Sequence, residues 1–182
     1  MTLAESSSPP PSGAQFEISH GNQRATVVEV GGGVREYEVD GRPVLDPYPL
    51  GAMCDGAHGA VLIPWPNRLA DGSYRFDGVD YQVALTEPGK ANAIHGFLRW
   101  RSFQAAEQAP ERVVMSTNLR PLMGYPFDLE VKVAYELGDG GLRVVTTATN
   151  LGPAPCPYGH GQHPYLSPGE GLIDDCTLEL QA

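Results

Sequence analysis

Hydrophobic and polar residues alternate with period two along much of this chain. The clearest run is Phe127 to Leu137. Phe127, Leu129, Val131, Val133, Tyr135 and Leu137 fall on one face, and Asp128, Glu130, Lys132 and Glu136 fall on the other. Period two sends successive side chains to opposite sides of a pleated strand, so this segment predicts a sheet with one face in a core. Gly138-Asp139-Gly140-Gly141 turns the chain, and Leu142, Val144, Thr146 and Ala148 continue as a second long strand. Shorter strands are predicted at Gln15 to Ser19, Arg24 to Val30, Val34 to Val39, Arg42 to Leu45, Arg112 to Thr117 and Cys176 to Leu180. Asp40-Gly41 and Asp77-Gly78 each separate two short runs, which is the two-residue hairpin signal. Across the second turn, Tyr74 and Phe76 face Val79, Tyr81 and Val83. Ala105 to Gln108 has the composition for one helical turn, and no amphipathic helix stands out elsewhere.

Many short strands punctuated by Gly and Pro predict an all-β fold, an antiparallel β-sandwich. One domain is expected over residues 14–182. Residues 1–13, with the run Ser-Ser-Ser-Pro-Pro-Pro, read as a disordered tail. The last strand lies against Ala182, so the sheet is expected to be incomplete at its C-terminal end. An open edge there favours a homo-oligomer.

Composition removes several function classes. The formal net charge is −10, which opposes binding to nucleic acid or to an anionic membrane surface. No apolar run is long enough to span a bilayer, and the N-terminus lacks the basic and apolar regions of a secretory signal. Cys54, Cys156 and Cys176 are odd in number and widely spaced, so reduced thiols and a cytoplasmic location are expected. Cys156, near His163, is weighed as a nucleophile and set below the ordinary reading of a core thiol.

Three rigid stretches concentrate the candidate chemistry. They are Ile63-Pro64-Trp65-Pro66-Asn67-Arg68, the segment Asn92 to Trp100 containing Ile94-His95-Gly96, and Tyr158-Gly159-His160-Gly161-Gln162-His163-Pro164-Tyr165. His95 and His163 each end an apolar or turn-rich segment, and imidazole moves protons near neutral pH. Asn67 and Arg68 offer the donors and acceptors that grip sugar hydroxyls, and Trp65 or Trp100 offers a flat face for C–H groups. The alternatives are a hydrogen-bonded structural histidine, an ordinary salt bridge for Arg68 and core packing for the tryptophans. His160 and His163 lack a third ligand, so no metal is expected. There is no Gly-x-Ser-x-Gly elbow, and Gly31-Gly32-Gly33 lacks the spacing of a phosphate-binding loop.

Taken in order, Pro66-Asn67-Arg68, Asn92-x-x-His95-Gly96 with Trp100, and His163-x-Tyr165 give the chain a resemblance to the aldose 1-epimerases, or galactose mutarotases. The resemblance implies a large antiparallel β-sandwich of the galactose mutarotase type and a cofactor-free interconversion of the α and β anomers of a free aldose. It implies His163 as the general acid on the ring oxygen and His95 as the second histidine that binds and polarises the same region. Asn67, Arg68, Tyr165 and Trp100 are implied as substrate-binding residues. The family's base is a glutamate, and neither it nor a substrate-binding aspartate has a matching position before Ala182. Weak or absent turnover is therefore expected of residues 1–182 alone. Two alternatives follow: a non-catalytic carbohydrate-binding module, and a hexose-6-phosphate 1-epimerase with Arg99 and Arg101 receiving the phosphate.

Overall fold

The computed structural model describes residues 9–179. Strands β1 (Gln15–His20), β2 (Gln23–Val28), β3 (Val34–Val39) and β4 (Arg42–Leu45) form one antiparallel sheet in chain order. Five short strands follow: β5 (Val61–Leu62), β6 (Arg68–Ala70), β7 (Ser73–Phe76), β8 (Val79–Gln82) and β9 (Asn92–Ile94). Strands β10 (Gln104–Ala109), β11 (Arg112–Leu119), β12 (Leu129–Gly138) and β13 (Gly141–Asn150) make a second antiparallel sheet, and β14 (Gly161–Gln162) returns to pair with β5. The fold is all-β, as the alternation requires. No helix among the described residues is long and apolar enough to cross a membrane.

The two four-stranded sheets share one core. Ile18, Val27 and Tyr37 of the first sheet meet Met115, Val131, Val133 and Tyr135 of the second. Along β12 burial alternates residue by residue, with Leu129, Val131, Val133, Tyr135 and Leu137 inside. Each such side chain contributes about 1.5–3 kcal/mol relative to exposure. Polar groups taken into the core are paired. The Tyr135 hydroxyl donates to the Gly32 carbonyl at 2.7 Å. The Tyr37 hydroxyl donates to Gln23 Oε1 at 2.8 Å, and Gln23 Nε2 donates to the Gly138 carbonyl at 2.8 Å. Gly32 packs under the Phe103 ring, where a Cβ would collide, so the triple glycine serves packing.

The hairpins at Asp40-Gly41 and Asp77-Gly78 have positive φ at both turn residues, as their turn type demands. In the second, Tyr74 lies opposite Tyr81 and Phe76 opposite Val79. Three expectations need correction. Residues 105–108 lie in β10, paired with β11 through a register shift, because ladder hydrogen bonds outweigh a weak helical preference. Val144 of β13 is 37% exposed, since β13 is paired on one side only among the described residues. The strand expected at 176–180 is absent from 176–179, which follow a 3-10 turn (Ile173–Asp175), and Leu180 lies outside the described residues. Of the expected tail, residues 1–8 also lie outside the described residues. Ser12 is buried, and its carbonyl accepts a hydrogen bond from the Val30 N–H.

At the far edge of the sandwich, His20 of β1 sits between Glu111 and Asp139, each 2.9 Å from one ring nitrogen. These carboxylates belong to the turns of the second sheet and raise the His20 pKa above 6.5, Asp139 first and Glu111 next. The stabilisation this gives is complete below pH 6.5 and is lost as pH rises through the raised value. The melting-temperature gap between wild type and His20→Gln is therefore expected to be largest near pH 6 and to close by about pH 9. A gap that does not change with pH would contradict the clamp. Tyr135→Phe leaves the Gly32 carbonyl buried and unpaired, and is expected to lower unfolding free energy by about 1–3 kcal/mol in denaturant titration.

Candidate active site

Residues 60–63 form a strand whose backbone is used on both sides. On one side, β14 pairs antiparallel with β5, Gly161 opposite Leu62. The His163 N–H then donates to the Ala60 carbonyl at 3.1 Å, and the His163 carbonyl accepts from Gly59 N–H at 2.9 Å. On the other side, Ile63 bridges Gly96 in parallel, and the Ile63 carbonyl accepts from the N–H groups of Phe97 and Leu98 at 2.7 and 3.3 Å. His163 and His95 are thus brought to flanking positions on one buried strand. Their rings meet edge to face, 5.2 Å apart at 82°.

Gly96 has φ +68°, and a Cβ there would run into the Ile63 carbonyl. Glycine is what allows the approach. His95 itself has φ +63°, a left-handed conformation that non-glycine residues seldom adopt and that structures tend to hold at functional positions. Asn67, at φ +55°, faces it. The two exchange main-chain contacts: the His95 N–H donates to the Asn67 carbonyl at 2.8 Å, and the Asn67 N–H donates to His95 Nδ1 at 3.2 Å. β6 and β9 continue the pairing, Arg68 opposite Ile94.

This pairing decides the state of His95. With Nδ1 accepting, the neutral ring carries its proton on Nε2 and presents a donor to the cleft. Burial lowers the His95 pKa below 6.5, and the nearby charges of His163, Arg99 and Arg68 push it the same way. Arg68 is fixed by Glu87: its Nε donates to Oε2 at 2.5 Å and Nη2 donates to Oε1 at 3.0 Å. A third bond runs from Arg68 Nη1 to Asn67 Oδ1 at 3.1 Å. The fork holds the Glu87 carboxyl below its usual range and raises the arginine.

The histidine pair, Asn67, Arg68, Glu87 and Tyr165 line one cleft of about 630 Å³, together with Asp55, Arg99 and apolar walls from Leu62, Pro66 and Ile94. That volume suits a small molecule. The Tyr165 ring stacks on His58 at 3.7 Å and lies 5.3 Å from His163, while its hydroxyl donates to the Gly56 carbonyl at 3.1 Å. His58 Nε2 is 3.2 Å from Asp46 Oδ2 but is not aligned for a hydrogen bond, so the contact is electrostatic.

Five of the six residues singled out in the sequence therefore converge: His95, His163, Asn67, Arg68 and Tyr165. Trp100 does not line the cleft. It is 45% exposed, with the Arg99 guanidinium carbon 5.3 Å above its ring. Trp65 packs edge-on against Phe97 and donates its indole N–H to the Ala93 carbonyl. His160 lies against Tyr158, and Cys156 packs on the core, where burial raises its thiol pKa and makes a thiolate less available. Glu87, Asp55 and His58 were not read as site residues from sequence. Glu87 is 19 residues from its arginine in a Pro-Gly loop, and no periodicity marks it.

A sequence profile described as aldose 1-epimerase matches residues 14–182. The protein YihR of Escherichia coli K12 is 38% identical over 172 residues, which is 94% of this chain and 56% of that protein. YphB of the same organism is 26% identical over 155 residues, 84% of this chain and 52% of its own. Among solved structures, the GalM/aldose epimerase homologue from C. elegans superposes with a TM-score of 0.71 at 20% identity, covering 85% of this chain and 50% of that one, a likeness of fold. The chain spans about half the length of the curated relatives it matches.

The electrostatics of the pair can be tested directly. The His95 imidazole is expected to titrate below 6.5 by NMR, and His163→Ala should move its midpoint upward by removing a positive neighbour. The depressed pKa gives stability that is present above pH 6.5 and lost as pH falls towards the folded value. A midpoint at or above 6.5 would show that Asn67 and the surrounding cations do not hold the ring neutral.

Proposed function

The chain belongs to the aldose 1-epimerase family, and we propose that its cleft interconverts the α and β anomers of a free aldose by acid/base ring opening and closure. The observation that carries the proposal is the convergence of His95 and His163, 5.2 Å apart, at the wall of a cleft with Asn67 and Arg68. Mutarotation needs an acid at the ring oxygen and a base at the anomeric hydroxyl. Protonating the ring oxygen while the hydroxyl proton leaves breaks the C1–O bond and gives the open aldehyde. Rotation about C1–C2 presents its other face, and the steps reverse. No electron transfer occurs, so residue protons suffice.

In this reading His163 gives its proton to the ring oxygen. His95 stays neutral and donates from Nε2, steadying the negative charge that develops there. Arg68, held in plane by Glu87, and Asn67 bind ring hydroxyls, and Tyr165 covers His163. Glu87 acts through Arg68. Its ion pair lowers its proton affinity, which is the wrong direction for a base.

Polarimetry of freshly dissolved α-D-glucose and α-D-galactose is the test. A measurable acceleration is expected, reduced at least about a hundredfold in His163→Ala, the usual scale for losing a general acid. Saturable sugar binding with no acceleration would replace this reading with a non-catalytic carbohydrate-binding module.

A further inference from the structure

Arginines in this chain are handled consistently, with one departure. Arg35 and Arg112 are half-buried, and each holds a carboxylate, Glu36 and Glu136 respectively, within 3.0 Å. Arg24, Arg42, Arg101 and Arg143 have no ion pair among the described residues, but all four are exposed, where water solvates the charge. Arg99 is half-buried and lines the cleft, yet has neither a salt bridge nor a side-chain hydrogen bond among the described residues. Removing a guanidinium from water without a partner is unfavourable. Its one close neighbour of note is Trp100, whose ring lies 5.3 Å below the guanidinium carbon and orients it without neutralising it.

We propose that Arg99 is an anion-receiving subsite and that the aldose taken by this cleft carries a negatively charged substituent, a phosphate or a carboxylate. The inference rests on the epimerase reading of the same cleft and adds the substrate class to it. Arg99 is close enough to the histidine pair for its charge to help keep His95 neutral, so an anion on Arg99 and a pyranose over the histidines occupy one continuous cleft. Asp55, the other unpaired charge lining it, is turned to its own main chain, accepting the Gly56 N–H at 2.7 Å. The chain as a whole carries −10 and repels anions, so an anionic sugar needs a local cation to be retained. Arg101, equally close in sequence, lies outside the cleft lining, which singles out Arg99. Trp100 becomes a positioning residue for that cation, which places it next to the sugar site without touching the sugar.

Methyl glycosides cannot open and so report binding without turnover. Calorimetry at low ionic strength would compare methyl α-D-glucoside, its 6-phosphate and methyl α-D-glucuronide on the protein. At least one charged ligand is expected to bind about tenfold or more tightly than the neutral one, with added salt eroding the advantage. Which charged ligand wins separates phosphate from carboxylate. Arg99→Gln is expected to abolish the preference, and Arg99→Lys, which keeps the charge and the stem, to retain part of it. Charged and neutral ligands binding alike, or a preference that survives Arg99→Gln, would overturn the proposal. Anionic preference in a protein that accelerates no mutarotation would instead sink the epimerase reading and leave the subsite standing. Mutarotation of glucose without any anionic preference would overturn the subsite alone.

Discussion

The site depends on the close approach of Gly96 to the Ile63 carbonyl. Ile63 is fully buried, and no side chain fits between the two backbones. Because the gap is closed by main chain, the Ile63 carbonyl can accept the N–H groups of both Phe97 and Leu98. On the opposite side the same strand holds β14 and the main chain of His163. The distance between the two imidazoles is therefore set by a strand in the core and by backbone hydrogen bonds, with no flexible side chain between them. That is the kind of support a proton-transfer site needs, since misplacement by about 1 Å can cost orders of magnitude in rate.

Electrostatics in the cleft divides into two settled elements and one open one. Arg68 and Glu87 neutralise each other and become a rigid hydroxyl-binding fork. His95 is kept neutral by burial, by surrounding cations and by an N–H that occupies Nδ1. Arg99 is left without a counter-charge among the described residues, beside a tryptophan that fixes its direction. An arrangement in which every other half-buried arginine is paired makes the exception informative, because desolvation without compensation persists where a ligand supplies the missing charge.

How much could be read from the chain differs by level. The fold was legible because β12 alternates strictly and is buried strictly, and because Asp-Gly turns demand positive φ at two successive residues. Residues 105–108 were less legible, since four residues with mixed preference take the structure of whatever ladder they join. Of the candidate site, His95, Asn67 and His163 stood out through their Gly and Pro neighbours, which mark backbone forced into unusual shape. Trp100 stood out for the same reason but supports a neighbour. Glu87 and His58 gave no local sign, because their importance lies in the partners they meet across 19 and 107 residues of chain.

The sequence by itself determined the class of fold and the identity of the chemical groups. Side-chain alternation is a one-dimensional property, and so are turn residues with a steric reason to be there. The tertiary structure decided which groups share a cleft, which arginine is neutralised and which is not, and which tautomer His95 holds. Those are distances and orientations between segments far apart in the chain. They arise only when a buried strand is hydrogen-bonded on both edges and brings its neighbours into register.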